Sequence, residues 1–291
     1  FLATSNGLCR WKDGQLTVLC PEASAYIKQN IITSIARLAD GTRLAGSVLV
    51  AADGLWSEIR STHFRTPPPA LSGKSAFRSV VPAQAMPKDL AANNVHIWLS
   101  PGAHVVHYPV RGGREVAIVA IFEEQQQTTG WSMPVEAAFV RSRVAKLAPQ
   151  IRALFDAADA WKMWALPVLA VPPVWAKDRC ALLGDAAHPV LPFLAQGAVL
   201  ALEDSAVLAG ELAHTDPRDF AGALQRYSAR RYARALRVQS ASRRNGRIYH
   251  VSGMIAAARD GVLRKTPPAI LMKQYDWLYG WKASEPPNLP A

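Results

Sequence analysis

Residues 180–212 read CALLGDAAHPVLPFLAQGAVLALEDSAVLAGEL. The apolar run Ala181 to Leu183 has the character of the end of a buried strand. Gly184-Asp185 breaks it, and a loop rich in proline and small residues continues to Gln196. From Gly197 the spacing turns helical and predicts one broad apolar face of Val199, Leu202, Ala206 and Leu208-Ala209. Strand, carboxylate, tight loop and helix start, in that order, build a ligand site. The amides and dipole at the start of a helix favour negative charge. Asp185, at the strand's end, is placed to accept hydrogen bonds from ligand hydroxyls, and Gly184 lets backbone approach a ligand closely.

Around this stretch the chain has 291 residues, half of them hydrophobic. That suffices for one large or two modest domains with a real core. No apolar run reaches membrane-spanning length without a charge, and no signal peptide is visible. Cys9, Cys20 and Cys180 have no metal-type spacing and are odd in number, which favours a reducing, cytoplasmic setting. None of the seven histidines has metal spacing. Much of the net charge of +11 lies in Arg230, Arg231, Arg234, Arg237, Arg243, Arg244 and Arg247. The expected role of these arginines is a solvated helix face; attraction of an anionic cofactor or carboxylate substrate is the functional alternative. No nucleic-acid recognition motif accompanies them.

Along the chain, LTVLC and YIKQNIITSIARL read as strands, with turn signals at Lys12-Asp13-Gly14 and Ala39-Asp40-Gly41. The first residues, FLATSNGLCRWKDG, match no recognisable pattern. Arg65-Thr66-Pro67-Pro68-Pro69 marks a rigid boundary. Strand-like runs follow: SAFRSVVPA, NVHIWL, HVVHYPV and EVAIVAIF, the last two joined by a turn at Arg111-Gly112-Gly113-Arg114. Residues 134–160 read as helical, with Val135, Ala138, Val140, Val144, Leu147 and Leu154 apolar. One or two long amphipathic helices are expected from about Pro217 to Arg259, and a loose tail from Glu285.

Two motifs carry a family resemblance. GDAAHPVLPFLAQGA with ALEDSAVLA closely resembles the second flavin-contacting motif of class A flavoprotein aromatic hydroxylases. VLVAADGLWSEIR, Val48 to Arg60, resembles their DG motif, with Ala51 where glycine is common. YDWLYGW, Tyr275 to Trp281, resembles the C-terminal region of members similar to salicylate hydroxylase and 6-hydroxynicotinate 3-monooxygenase. The resemblance implies an α/β fold: part of a glutathione-reductase-like FAD-binding domain, an inserted sheet-based substrate domain, and C-terminal helices. The expected boundaries are 1–65 and 171–215 for the flavin domain, 66–170 for the sheet, and 216–291 for the helices.

It also implies FAD as cofactor, NAD(P)H as co-substrate, and hydroxylation of a salicylate-like acid by O₂ through a flavin C4a-hydroperoxide. A homodimer is left open, and neither nucleic acid nor membrane insertion is implied. The family's opening GxGxxG has no counterpart. Roughly a hundred residues of the family pattern are therefore expected to lie outside the chain. Its alternatives are a non-catalytic remnant or a complementing subunit.

By the same resemblance, Asp185 binds the ribityl chain with Gly184 beside it, and Pro189, Pro192, Gly197 and Ala198 line the flavin ring. Asp53 and Gly54 lie near the pyrophosphate, and Arg60 ties their loop down or helps NADH dock. Ser57 is read as capping a turn, and His188 as making a structural hydrogen bond. In HVVHYPV, alternation places His104 and Tyr108 on one face and His107 on the other. The resemblance makes His104 the group that binds or deprotonates a substrate phenol, and Tyr108 the group that orients it.

Overall fold

The structure is a computed structural model that describes residues 2–4, 7–12, 15–20, 34–37, 43–91, 93–124, 132–213 and 215–283, the strands before residue 46 as backbone only. The chain divides into two compact units. One comprises Phe1–Pro69, Leu169–Ser242 and Tyr275–Ala291; the other comprises Ala70–Val168 and Arg243–Gln274. The C-terminal helices are thus shared out between the units. No helix among the described residues is long and apolar enough to cross a membrane.

In chain order, β1 (Leu2–Thr4), β2 (Gly7–Lys12) and β3 (Gln15–Cys20) pair antiparallel in succession, so the unmatched opening residues form strands. β4 (Ser34–Arg37) and β5 (Arg43–Gly46) pair antiparallel, while the Asp40-Gly41 turn expected to join them lies outside the described residues. β6 (Val48–Ala51) leads into the DG loop and α1 (Glu58–Thr62). The second unit follows with β7 (Ala70–Pro82), β8 (His96–Ser100), β9 (Ala103–Val110), β10 (Glu115–Glu123) and β11 (Met133–Val135). After α2 (Ala137–Val144), α3 (Pro149–Asp156) and β12 (Trp161–Val168), the chain returns to the first unit. There it forms β13 (Ala176–Lys177), β14 (Cys180–Leu182) and α4 (Gly197–Ala213). The remaining helices are α5 (Phe220–Tyr249), α6 (Gly253–Lys265), α7 (Pro268–Lys273) and α8 (Asp276–Tyr279).

Residues 134–160 are not one helix. Val135 belongs to β11, and two short helices meet near Pro149. Proline lacks the N–H that a continuous helix would use, but it is favourable in a first turn, where it sits in α3. Of the expected apolar positions Val140, Val144 and Leu154 reach the core, whereas Ala138 is exposed.

In the first unit the sheet order is β13-β14-β6-β1-β2-β3. β14 lies parallel to β6, with Leu182 opposite Ala51. Both strands are short apolar runs without alternation, as expected where both faces are covered. Val48, Val50, Ala181 and Leu182 pack with Trp175 and, from α5, Leu224 and Tyr227. The Tyr227 hydroxyl donates to the Leu182 carbonyl at 3.0 Å.

The second unit is a six-stranded antiparallel sheet in the order β11-β12-β7-β10-β9-β8. Alternation sorts its residues. Phe77, Val105, Ile118, Phe122 and Trp161 face a core that α2 and α3 close with Val140, Leu154 and Phe155. His104, Val106 and Tyr108 take the opposite face of β9, with Ile121 beside His104 and Ala117 beside Tyr108 on β10. The β9–β10 turn is made by Arg111, Gly112 and Gly113, all at positive φ.

Tyr227→Phe removes a single buried hydrogen bond at the end of β14. Urea titration should show a loss of about 1 kcal/mol, because the Leu182 carbonyl then lacks its side-chain donor.

Candidate functional site

Because β6 and β14 are parallel and in register, the DG loop and the GD loop leave the same end of the sheet, next to each other. Ligands of open α/β sheets bind outside the carboxyl ends of such strands. The two loops are braced by Arg60. Its side chain is buried; Nη2 donates to the Leu55 carbonyl at 2.5 Å and Nη1 to the Ala186 carbonyl at 3.1 Å. Burial lowers its pKa, with Asp53 opposing. The guanidinium is therefore committed to backbone. Ser57 caps α1, its hydroxyl accepting the Arg60 N–H at 2.9 Å. Asp53 is exposed, and Gly54 takes a φ of +78° that a side chain would strain.

The GD loop is held from below by a carboxylate that the sequence reading did not single out. Asp204, on α4, is fully buried. Its Oδ2 accepts the Gly184 N–H at 3.0 Å and meets His188 Nε2 at 2.5 Å, while Oδ1 accepts Arg231 Nε at 2.7 Å. Arg231 and Arg234 both donate to Glu203, at 2.7 and 2.6 Å. Burial alone would raise the Asp204 pKa; the His188 hydrogen bond and charge, then Arg231, outweigh it and hold the carboxylate low. Trp281 lies against both guanidinium groups, 4.8 and 5.0 Å from its ring centre, and Trp277 against Arg237. The YDWLYGW stretch thus lies against Arg231, Arg234 and Arg237.

Two expectations are corrected here. The inward face of α4 is Leu200, Glu203, Asp204, Val207 and Leu208, while Val199 and Leu202 are exposed. α5 supplies arginines to that face, so the acidic pair is buried against opposite charge. The arginine row is likewise only partly solvated: Arg237, Arg243, Arg244 and Arg247 are exposed, but Arg231 is fully buried. An Glu-Asp pair in α4 and arginines three apart in α5 were the available signals. Nothing in sequence linked them.

Above this base the loop turns outward. Gly184 has a φ of +62°, and a Cβ there would lie 3.2 Å from the Ala201 Cβ. Asp185 is exposed; partial enclosure raises its carboxyl pKa, with nearby His188 pulling it down. A Cβ at Gly197 would stand 3.9 Å from Asp185 Oδ1. α4 starts where the Leu200 N–H donates to the Gln196 carbonyl, so the amides of Gly197, Ala198 and Val199 have no acceptor within the helix. Gln196 is buried, and its Oε1 has no hydrogen-bond partner. Pro192 and Ala198 are exposed, Gly197 is half-buried and Pro189 is buried. Positive-φ glycines, unused amides, an exposed carboxylate and an orphan amide oxygen at one rim fit a flavin dinucleotide. Cys180, beneath this loop, is buried and its thiol is pushed up to about 12, which leaves it inert.

In the second unit His104 is buried on its sheet face and Tyr108 is half-buried. His104 Nδ1 lies 2.7 Å from His250 Nε2, and His250 Nδ1 lies 3.0 Å from Glu123 Oε1. Burial, then His250 and Lys74, lowers the His104 pKa to about 3. His107 faces the core, stacked on His96 and accepting the Trp98 indole N–H at 3.1 Å.

A parallel strand pair with loops at its carboxyl ends, on one chain with a separate antiparallel sheet unit, places the protein in the α/β class. The family model for the FAD binding domain matches residues 28–242, and the chain belongs to that family. The chain is 37% identical over 249 residues to 3-hydroxybenzoate 6-hydroxylase 1 of Aquipseudomonas alcaligenes, covering 85% of this chain and 63% of that protein. It is 34% identical over 209 residues to 6-hydroxynicotinate 3-monooxygenase of Bordetella bronchiseptica, covering 71% and 55%. The chain thus spans less than two thirds of the length of either relative. A salicylate hydroxylase substrate complex has the same fold, with a TM-score of 0.73 at 24% identity over 92% of this chain and 75% of that one. The resemblance to class A flavin hydroxylases read from the two motifs stands.

Arg231→Leu leaves Asp204 buried without its guanidinium. Thermal or urea unfolding should show a loss of about 3–5 kcal/mol. A second prediction concerns pH. The His104 pKa is about 3 in the folded protein, against an ordinary value of 6.5. Between those values the unfolded chain binds a proton that the folded one refuses, so stability falls as pH drops from 6.5 towards 3. The slope is at most about 1.4 kcal/mol per pH unit. The urea midpoint of His104→Gln should fall less steeply over that range than that of the wild type.

Proposed function

We propose that the chain works as an FAD-dependent, NAD(P)H-using monooxygenase that hydroxylates a small phenolic aromatic acid with O₂. The observation that carries this reading is the registered parallel pair β6–β14, which sets the DG and GD loops side by side at one sheet end. The 37% identity to a protein named 3-hydroxybenzoate 6-hydroxylase supports the substrate class.

In this reading Asp53 and Gly54 approach the pyrophosphate, while Arg60 keeps their loop and the GD loop in place. Asp185 accepts hydrogen bonds from the ribityl hydroxyls, and Gly184 gives the backbone room. Pro189, Pro192, Gly197 and Ala198 form the wall along the flavin ring. When bound, FAD supplies electron transfer from NAD(P)H and the activation of oxygen. The start of α4 stabilises negative charge there through its unused amides.

On the sheet face, His104 is the base. Its Nδ1 lies 2.7 Å from His250 Nε2, which holds the ring in place. A phenolate is a stronger carbon nucleophile than a phenol, so a group that binds or accepts the phenol proton suits the chemistry. Tyr108, two residues along the same face, orients the ring. Val106 and Ile121 give that face an apolar surface suited to an aromatic ring.

The test is a fluorescence titration of the purified chain with FAD, followed by NADH or NADPH oxidation with 3-hydroxybenzoate, product being identified by mass. Asp185→Ala should weaken FAD binding by roughly 10–100-fold, the worth of a charge-assisted hydrogen bond. Equal FAD affinity in wild type and variant would remove Asp185 from the site. NAD(P)H oxidation unaffected by any phenolic acid would overturn the substrate assignment.

A further inference from the structure

Resting on the reading that a nicotinamide nucleotide is the reductant, we propose that Arg78, Lys162 and Trp164 form a site for a phosphate group of that nucleotide, apart from the surface around His104.

The three residues lie on neighbouring strands of the second sheet. Arg78 on β7 stands directly opposite Lys162 on β12, and Trp164, two residues further along β12, stands opposite Ala76. Alternation puts all of them on one face, the face that also carries His104. Ala76 is small, so the Trp164 ring has room beside it and meets Arg78 along the diagonal. The guanidinium carbon of Arg78 lies 5.5 Å from the centre of that ring, a cation–π distance. Arg78 and Lys162 are exposed and Trp164 is half-buried. The ring steadies the guanidinium, whose N–H edge stays open to the oxygens of an anion.

The charge of this pair is not balanced by the protein. Lys74, also on β7, is held by Glu123 at 3.0 Å, and Arg111, Arg141 and Arg143 of the same unit each meet a carboxylate. Among the described residues, no carboxylate makes an ion pair with Arg78 or Lys162. Their other cross-strand neighbours are Val119 on β10 and Pro134 on β11, whose side chains offer no acceptor. Like charges directly opposite each other on adjacent strands repel. An anion placed between them turns that repulsion into two attractions. A pair that merely faced water would show no preference for any anion.

The chemistry selects the ligand. Two cations facing each other suit a group with more than one negative charge and several acceptor oxygens, and a guanidinium engages phosphate oxygens in pairs. Among the molecules of the proposed reaction, the phenolic acid carries a single carboxylate, and the FAD pyrophosphate is placed at the DG loop. The nicotinamide nucleotide is the remaining molecule with phosphates. Position separates this site from His104. The sheet order runs β12-β7-β10-β9, and the Arg78 guanidinium leans towards β12, away from β9. Two strand spacings, roughly 10 Å, already part the strands of Arg78 and His104. An acid held at His104 does not need these cations.

The experiment is isothermal titration calorimetry on the FAD-loaded protein, so that the flavin's own adenosine site is filled. ADP, adenosine 2′,5′-bisphosphate and 3-hydroxybenzoate are titrated separately into wild type, Arg78→Gln and Lys162→Gln. Both positions are exposed, and circular dichroism checks that the variants are folded. Each substitution should weaken nucleotide binding about tenfold or more, the worth of a hydrogen bond to a charged group, and leave the affinity for 3-hydroxybenzoate unchanged. Loss seen with ADP places the pyrophosphate in the site; loss seen with the bisphosphate alone places the ribose phosphate there and selects NADPH. Equal nucleotide affinity in all three proteins, a loss for 3-hydroxybenzoate in place of the nucleotides, or wild type that binds neither nucleotide would overturn the proposal. Protein that takes up no FAD is titrated without it. Nucleotide binding that still depends on Arg78 and Lys162 would then sink the monooxygenase reading and keep the phosphate site.

Discussion

The buried pairing of Asp204 with Arg231 and His188 is the constraint on which the flavin-side unit depends. An ionised carboxylate with no exposure is expensive unless it is paired and hydrogen-bonded. Asp204 meets that condition through three donors drawn from three places: the Gly184 amide, the His188 ring and the Arg231 guanidinium. Arg231 is shared with Glu203, while the Gly184 amide and the His188 Nε2 meet Asp204. The mutual need fixes the loop to α4 and α4 to α5. Hydrophobic packing is tolerant of small slips; a buried ion pair is not, because a displaced partner leaves a charge in a medium that cannot solvate it.

That fixed base explains the division of the GD loop. Residues facing inward, Gly184 by its amide and His188 by its ring, are committed to Asp204. Those facing outward, Asp185, Pro192 and Ala198, are exposed. Gly184 permits this reversal because its left-handed backbone and 3.2 Å clearance to Ala201 leave no room for a side chain. Arg60 does the equivalent for the neighbouring loop, spending both outer nitrogens on carbonyls of the two motifs. The chemistry presented to a ligand is then backbone amides and one carboxylate, held by charges that the ligand never meets.

The sheet of the second unit was largely legible in sequence, because a half-buried strand writes its two faces into alternate residues. HVVHYPV gave the split between His104 and His107 directly, and the core on one side and the His104 row on the other agree with it. The two flavin motifs were legible through family resemblance, whereas their adjacency depends on a parallel pairing between residues about 130 apart. What sequence hid was buried charge. Glu203 and Asp204 lie outside the apolar face expected for α4, and Arg231 was expected in a solvated row. Period alone cannot distinguish a charge facing water from a charge facing its counter-ion. Val199 and Leu202 misled in the converse way, since an apolar residue on a helix can remain exposed. His250 and Glu123 carried no local signal, because their meaning lies in a contact across 127 residues of chain.

The two units treat buried titratable groups in opposite ways, and the contrast follows from how far the counter-charge stands. Asp204 touches a guanidinium and stays ionised. His104 Nδ1 meets another imidazole, and Glu123 stands one ring further on. Had Glu123 bonded His104 itself, it would have favoured the imidazolium, and a charged ring cannot accept a proton. Placed beyond His250, the same carboxylate attracts a charge on His104 only weakly, because of the distance. Direct pairing keeps a buried carboxylate charged; a carboxylate one ring away leaves the buried imidazole neutral.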